Sequence, residues 1–227
     1  MSEHWPRPWV KLCGMTRPED ADAAAALGAT MVGINFWPHS ARYVEVERAV
    51  EIAQAVAGKI PVVGVFVNEE TVRIDEIAAE VGLDLIQLHG DEPSSVVAEF
   101  GSRAIRALRL ESSDSFPSME SSSFLSSSSS SSFLESEVFC FLIDAPAGAR
   151  YGGTGVEWDW LRARDFVART RVPVLIAGGI GPGNARKALA ASGAAGVDLA
   201  SGVESAPGIK DLEKMKRLFE EVRVGEK

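Results

Sequence analysis

Cysteine, histidine and tyrosine are scarce in this chain, and no stretch of it reaches the ~20 apolar residues that cross a membrane. Two cysteines, Cys13 and Cys140, allow at most one disulfide, which excludes a disulfide-stapled scaffold and leaves both as free thiols in a reducing compartment. Positive charge is short as well. The 23 Lys and Arg against 32 Asp and Glu give a net charge of -9, with no dense basic cluster. Nucleic acid is therefore excluded as a partner, because phosphate neutralisation needs a basic stripe, and any anionic ligand needs a local site. The opening residues, MSEHWPRPW, lack the apolar run of a signal peptide, so a cytoplasmic location without membrane contact is expected.

What is present is an ordinary core-forming composition, 46% hydrophobic and 24% charged over 227 residues, the size of one large α/β domain or two small ones. Eight β-rich apolar runs follow one another: 9–13, 31–36, 61–67, 83–89, 103–110, 138–144, 173–178 and 195–200. They are continuous rather than alternating, as strands buried on both faces of a parallel sheet read. Helix-compatible segments lie between them, at 18–28, 46–58, 69–82, 93–101, 159–170, 183–193 and 207–222. Several begin at Pro with acidic residues in the first turn and stop at Gly. This order predicts a single (β/α)8 barrel over 1–227 with a parallel eight-stranded sheet. A doubly wound open sheet is the alternative, weakened by the missing G-x-G-x-x-G after the first strand.

One segment breaks the pattern. Residues 111–137 hold 15 serines where the fifth helix belongs. Serine competes for backbone hydrogen bonds and favours a flexible loop, whereas the position between two strands favours a partly helical element anchored by residues such as Phe116, Phe124 and Phe133.

A β/α barrel carries its reactive groups at the C-terminal ends of its strands and on the loops that follow. That rule selects Cys13 after strand one, Arg42 after strand two, His89 after strand four and Asp144 at the end of strand six. The turns at Gly178–Gly179 and Ser201–Gly202, after strands seven and eight, leave backbone N–H groups for an anion, with a helix start behind each. A further glycine cluster, YGGTG (151–155), reads as a loop able to close over a ligand. Each residue has a plain alternative: Cys13 an inert core thiol, Asp144 a cap, Arg42 a solvated charge, His89 a loop brace. Cys140 reads as core, and Trp5, Trp9 and Trp37 as packing or shielding residues.

The ordered motifs VKLCGMTRPEDA, FWPHSARYV, GVFVN, IQLHGDE, FLIDA, YGGTGVEWDW, LIAGGIGPGN and GVDLASGVESAPGIKD resemble those of phosphoribosylanthranilate isomerase, from residue 9 to about 216. The resemblance implies a (β/α)8 barrel that performs an Amadori rearrangement on a phosphorylated sugar-anthranilate, without metal or organic cofactor, as a monomer or homodimer. It further implies Cys13 as general base at C2 and Asp144 as general acid at the ring oxygen. Arg42 would hold the anthranilate carboxylate, Asp198 would lie near the ribose hydroxyls, His89 would contact substrate, and Gly178, Gly179, Ser201 and Gly202 would grip the phosphate. Ala200 departs from the pattern, where the family often has a serine.

On this reading Asp144 needs burial to stay a proton donor, and the Cys13 thiol needs a downward shift, supplied by the helix start near Pro18. Gly14 gives a tight exit from the strand and room for substrate. Two other phosphate-binding barrels compete. Indole-glycerol-phosphate synthase wants a catalytic lysine, for which Lys11 sits two residues too deep. A histidine-pathway isomerase wants aspartates where this chain has Cys13 and Leu110. A non-catalytic phosphate-binding barrel is the reading from another class.

Overall fold

Apolar runs that cannot face water on either side become the staves of a closed cylinder in the computed structural model, which describes residues 8–109, 137–145 and 158–223. The strands are β1 (Trp9–Leu12), β2 (Met31–Asn35), β3 (Val62–Phe66), β4 (Leu85–Leu88), β5 (Ala104–Arg109), β6 (Cys140–Asp144), β7 (Val174–Ile176) and β8 (Gly196–Leu199). Each pairs in parallel with the next, and β8 pairs back onto β1 with Lys11 opposite Asp198. Closure excludes the open doubly wound sheet, which would leave two edges.

Helices α1 (Pro18–Leu27), α2 (Val46–Val56), α3 (Thr71–Val81), α4 (Ser94–Phe100), α5 (Arg164–Arg169) and α6 (Ala185–Ser192) cover the outside. The end signals act as their chemistry requires. Pro18 opens α1 with Glu19 and Asp20 in its first turn, and Gly28 closes it in the left-handed region. The Ser-rich stretch from 111 to 136, the loop YGGTG and Trp5 lie outside the described residues.

Strand alternation divides the apolar side chains into two cores. Val10, Leu12, Val32, Ile34, Ile86 and Ile143 point outward against the helices. Trp9, Met31, Val63, Leu85, Cys140 and Leu142 fill the barrel's interior. Each large side chain so buried contributes about 1.5–3 kcal/mol.

Two expected helices begin differently. The segment from 159 starts as a 3-10 turn, Trp160–Ala163, in which the Asp159 side chain accepts from Leu161 N–H at 3.1 Å, before α5 continues. The segment from 207 is not helical at its start: β9 (Glu204–Ala206) and β10 (Ile209–Lys210) form an antiparallel hairpin, and α7 begins only at Leu212 and runs to Arg223. The reason is turn chemistry. Pro207 and Gly208, the latter at φ +81, occupy the two central positions between Ala206 and Ile209, and the residue before a proline resists helical geometry.

Candidate active site

β1 turns alternate residues into the barrel, so Trp9, Lys11 and Cys13 rise along one line from the apolar interior to the mouth. Cys13 stands immediately past the strand, where it is partly exposed. Gly14 then leaves the strand at φ +74, and a methyl group there would collide with the Arg42 side chain. The expected tight exit is present, but the room it makes is occupied by Arg42 rather than left to a ligand.

Around this mouth the strand ends converge. Cys13, Arg42, His89, Asp144, Asp198, Gly178, Gly179 and Ser201 line one cavity, with Trp37 at its rim. Gly202 does not; it lies on the adjoining depression with Gly179, Ile180, Asn184 and Lys214. Gly202 fits against Ile180 so closely that a methyl would overlap the Ile180 carbonyl, and the last two loops meet there. Only one of the two expected helix starts stands behind these turns. Asn184, just before α6, braces the first loop, accepting from Gly181 N–H at 2.8 Å and donating to the Gly179 carbonyl at 2.9 Å. After β8 comes a 3-10 turn, Ser201–Val203, and then the hairpin, because the Pro-Gly turn delays the helix.

Asp144 ends β6, buried, with Oδ1 accepting from the Ala145 N–H at 2.8 Å. Its Oδ2 lies 3.4 Å from Nε2 of His89. Gln87, two residues before His89 on the same face, donates to Nδ1 at 2.8 Å, an arrangement that leaves the ring proton on Nε2. The imidazole also lines the cavity, where its Nε2 is left without a hydrogen-bond partner in the protein.

The charged residues form two pairs. Lys11 and Asp198 meet at 2.8 Å deep in the barrel, Lys11 with no exposed surface. Burial works against the Lys11 ammonium, but Asp198 and Cys13 beside it more than offset this and hold it above the ordinary lysine range. In the second pair Arg42 donates through Nε and Nη2 to both oxygens of Glu204, at 2.8 and 2.7 Å. Glu204 also accepts from Lys210 at 2.9 Å, and Lys210 donates onward to the Cys13 carbonyl at 2.5 Å. Burial opposes the Glu204 charge, yet its two cations keep the carboxyl below its ordinary range. Burial prevails at Lys210, which is held below the lysine range despite Glu204. Arg42 is thus not a solvated charge. Lys210 is hidden in the sequence because it falls in the segment that reads as helix, and Glu204 because it reads as part of the loop after β8.

The thiol departs from expectation. Burial pushes Cys13 up; the charges of Lys11 and Lys210 pull it back and Asp198 opposes them, with a net upward shift. The helix start near Pro18 does not prevail over desolvation. Cys140 lies in the apolar interior, where burial pushes its thiol up as well. Among the described residues, no three His, Cys, Asp or Glu side chains gather as metal ligands, and no helix is long and apolar enough to cross a membrane.

The family model for N-(5'-phosphoribosyl)anthranilate isomerase matches residues 10–221. An enzyme of that name from Myxococcus xanthus is 39% identical over 207 residues, 91% of this chain and 92% of its own. The crystal structure of phosphoribosyl anthranilate isomerase from Thermotoga maritima superposes with a TM-score of 0.80 at 33% identity, covering 95% of this chain and 98% of that one. Another phosphoribosyl anthranilate isomerase, solved with reduced 1-(o-carboxyphenylamino)-1-deoxyribulose 5-phosphate, gives 0.78 at 31% over the same shares. The matched span contains the whole constellation from Cys13 to Gly202, and the chain belongs to the phosphoribosylanthranilate isomerase family.

Proposed function

We infer that this chain converts N-(5-phosphoribosyl)anthranilate into 1-(2-carboxyphenylamino)-1-deoxyribulose 5-phosphate in tryptophan biosynthesis, by acid and base catalysis without a cofactor. The observation that carries the reading is the sharing of one cavity by Cys13 just past β1 and Asp144 from β6, with Arg42, Gly178, Gly179 and Ser201 on its walls. Backbone N–H groups at Gly178–Gly179 and Ser201–Gly202 hold the phosphate. Arg42 keeps donors on Nη1 after both bonds to Glu204 are made, and these take the anthranilate carboxylate.

Asp144 gives its proton to the furanose oxygen, whose bond to C1 breaks as the nitrogen lone pair forms the iminium. Cys13 then removes the proton from C2, the electrons neutralise the iminium, and protonation at C1 as the C2 hydroxyl becomes a carbonyl completes the ketose. His89, beside Asp144, contacts the substrate, and Asp198 lies near the sugar hydroxyls. Lys11 is already engaged by Asp198 beneath the cavity, which argues against the lysine chemistry of an indole-glycerol-phosphate synthase. A cytoplasmic monomer or homodimer is the expected form, and light scattering distinguishes the two.

Purified protein is expected to consume fluorescent phosphoribosylanthranilate. No consumption at micromolar enzyme overturns the reading in favour of a non-catalytic phosphate-binding barrel.

A further inference from the structure

Lys11 has no part in the reaction as written above, yet it is an ammonium with no exposed surface inside a barrel otherwise packed with Trp9, Met31 and Leu142. A buried ion pair is weak evidence for stability, since apolar residues of similar volume fill such a space at least as well. Its position supplies another reason. A methyl group built on Gly33 would lie 2.8 Å from Cys13 Sγ and 3.1 Å from Lys11 Nζ, so sulfur and ammonium border one small space. The register that sets Lys11 opposite Asp198 fixes the ammonium from its other side.

We propose that Lys11, anchored by Asp198, is a positioning residue that lies against the buried side of the Cys13 sulfur and stabilises the thiolate that takes the substrate proton. The proposal rests on the reading of Cys13 as base. The other cations near the sulfur are turned toward Glu204. Arg42, from the loop after β2, gives Nε and Nη2 to Glu204. Lys210, from β10, gives its hydrogen bonds to Glu204 and to the carbonyls of Cys13 and Ala200. Asp198, from β8, opposes the thiolate, and Asp144 and His89 across the cavity face one another. Lys11, two residues before Cys13 on the same face of β1, is the cation that borders the sulfur from inside the barrel.

The test is the pH dependence of iodoacetamide alkylation, read at the Cys13 peptide by mass spectrometry so that Cys140 does not interfere. Lys11→Met is expected to move the midpoint up by at least about one pH unit, a tenfold loss of alkylation rate at neutral pH, and to move the acid limb of kcat/KM with it. Asp198→Asn, which removes the opposing charge and leaves the ammonium, is expected to move the midpoint down. Should Lys11→Met not fold, the double variant Lys11→Met/Asp198→Asn leaves no unpaired buried charge and is expected to lie above the wild type. An unmoved midpoint, or Asp198→Asn shifting in the same direction as Lys11→Met, overturns the role of Lys11. Turnover that survives in Cys13→Ala overturns the base reading instead, whatever the alkylation shows.

Discussion

Cys13 and Cys140 point into the same barrel, and the same ion pair of Lys11 and Asp198 acts on both. Their surroundings separate them. Cys140 sits in the apolar layer with Trp9, Met31 and Val63, where burial has little to oppose it and the thiol stays protonated. Cys13 stands one step nearer the mouth, partly exposed, with the Lys11 ammonium bordering the same space as its sulfur and a second ammonium, Lys210, bound to its carbonyl. Depth in the barrel thus decides whether one functional group is packing or chemistry. The lower interior is held by contact area, the upper by directed charge.

The largest expected break in that contrast is Cys13→Ala. It should lower kcat by about 10²–10⁴-fold, the usual worth of a positioned base, with an unchanged urea midpoint. Second comes Glu204→Gln, which strips the charge that orients Arg42 and Lys210. Breaking one partner of a buried pair costs about 2–4 kcal/mol, measurable by urea unfolding at neutral pH, and KM should rise more than kcat falls. The sign with pH follows from the depressed Glu204 carboxyl. Its contribution is present above the ordinary carboxylate range and is lost as pH falls through the folded value, so wild type and variant should converge in acid.

The apolar layer was legible in the sequence and the charged layer only in part. All eight strands announce themselves because runs such as Val62–Phe66 and 140–143 are buried on both faces and so are apolar almost throughout. Cys13 and Asp144 were legible because a strand end fixes where a side chain emerges. The partners of these residues were not. Lys11 and Asp198 are joined only through closure of β8 onto β1, a register that no local pattern encodes. Glu204 and Lys210 meet Arg42 through a hairpin whose Pro-Gly turn precedes an amphipathic helix and reads as its beginning.

A smaller effect is expected from pH alone. With its thiol held above the ordinary range near 8.5, Cys13 is mostly protonated at neutrality, and the thiolate fraction grows tenfold per unit as pH rises. The kcat/KM of the wild type should therefore climb through neutral pH with a slope near one. A profile already flat at pH 6 would mean that the cations around the sulfur outweigh its burial.

Smallest is the other thiol. Cys140→Ala removes one sulfur from a dry layer between Trp9 and Leu142, and the loss should be confined to the transfer and cavity cost of that atom, about 1–2 kcal/mol in urea unfolding. Turnover should stay within about twofold, because a one-atom cavity at the barrel's base leaves the register of β1, and with it Cys13, in place. A large fall in kcat from Cys140→Ala would mean that the apolar layer also sets the position of Lys11 above it. The separation of packing from chemistry would then fail at the ion pair that borders both.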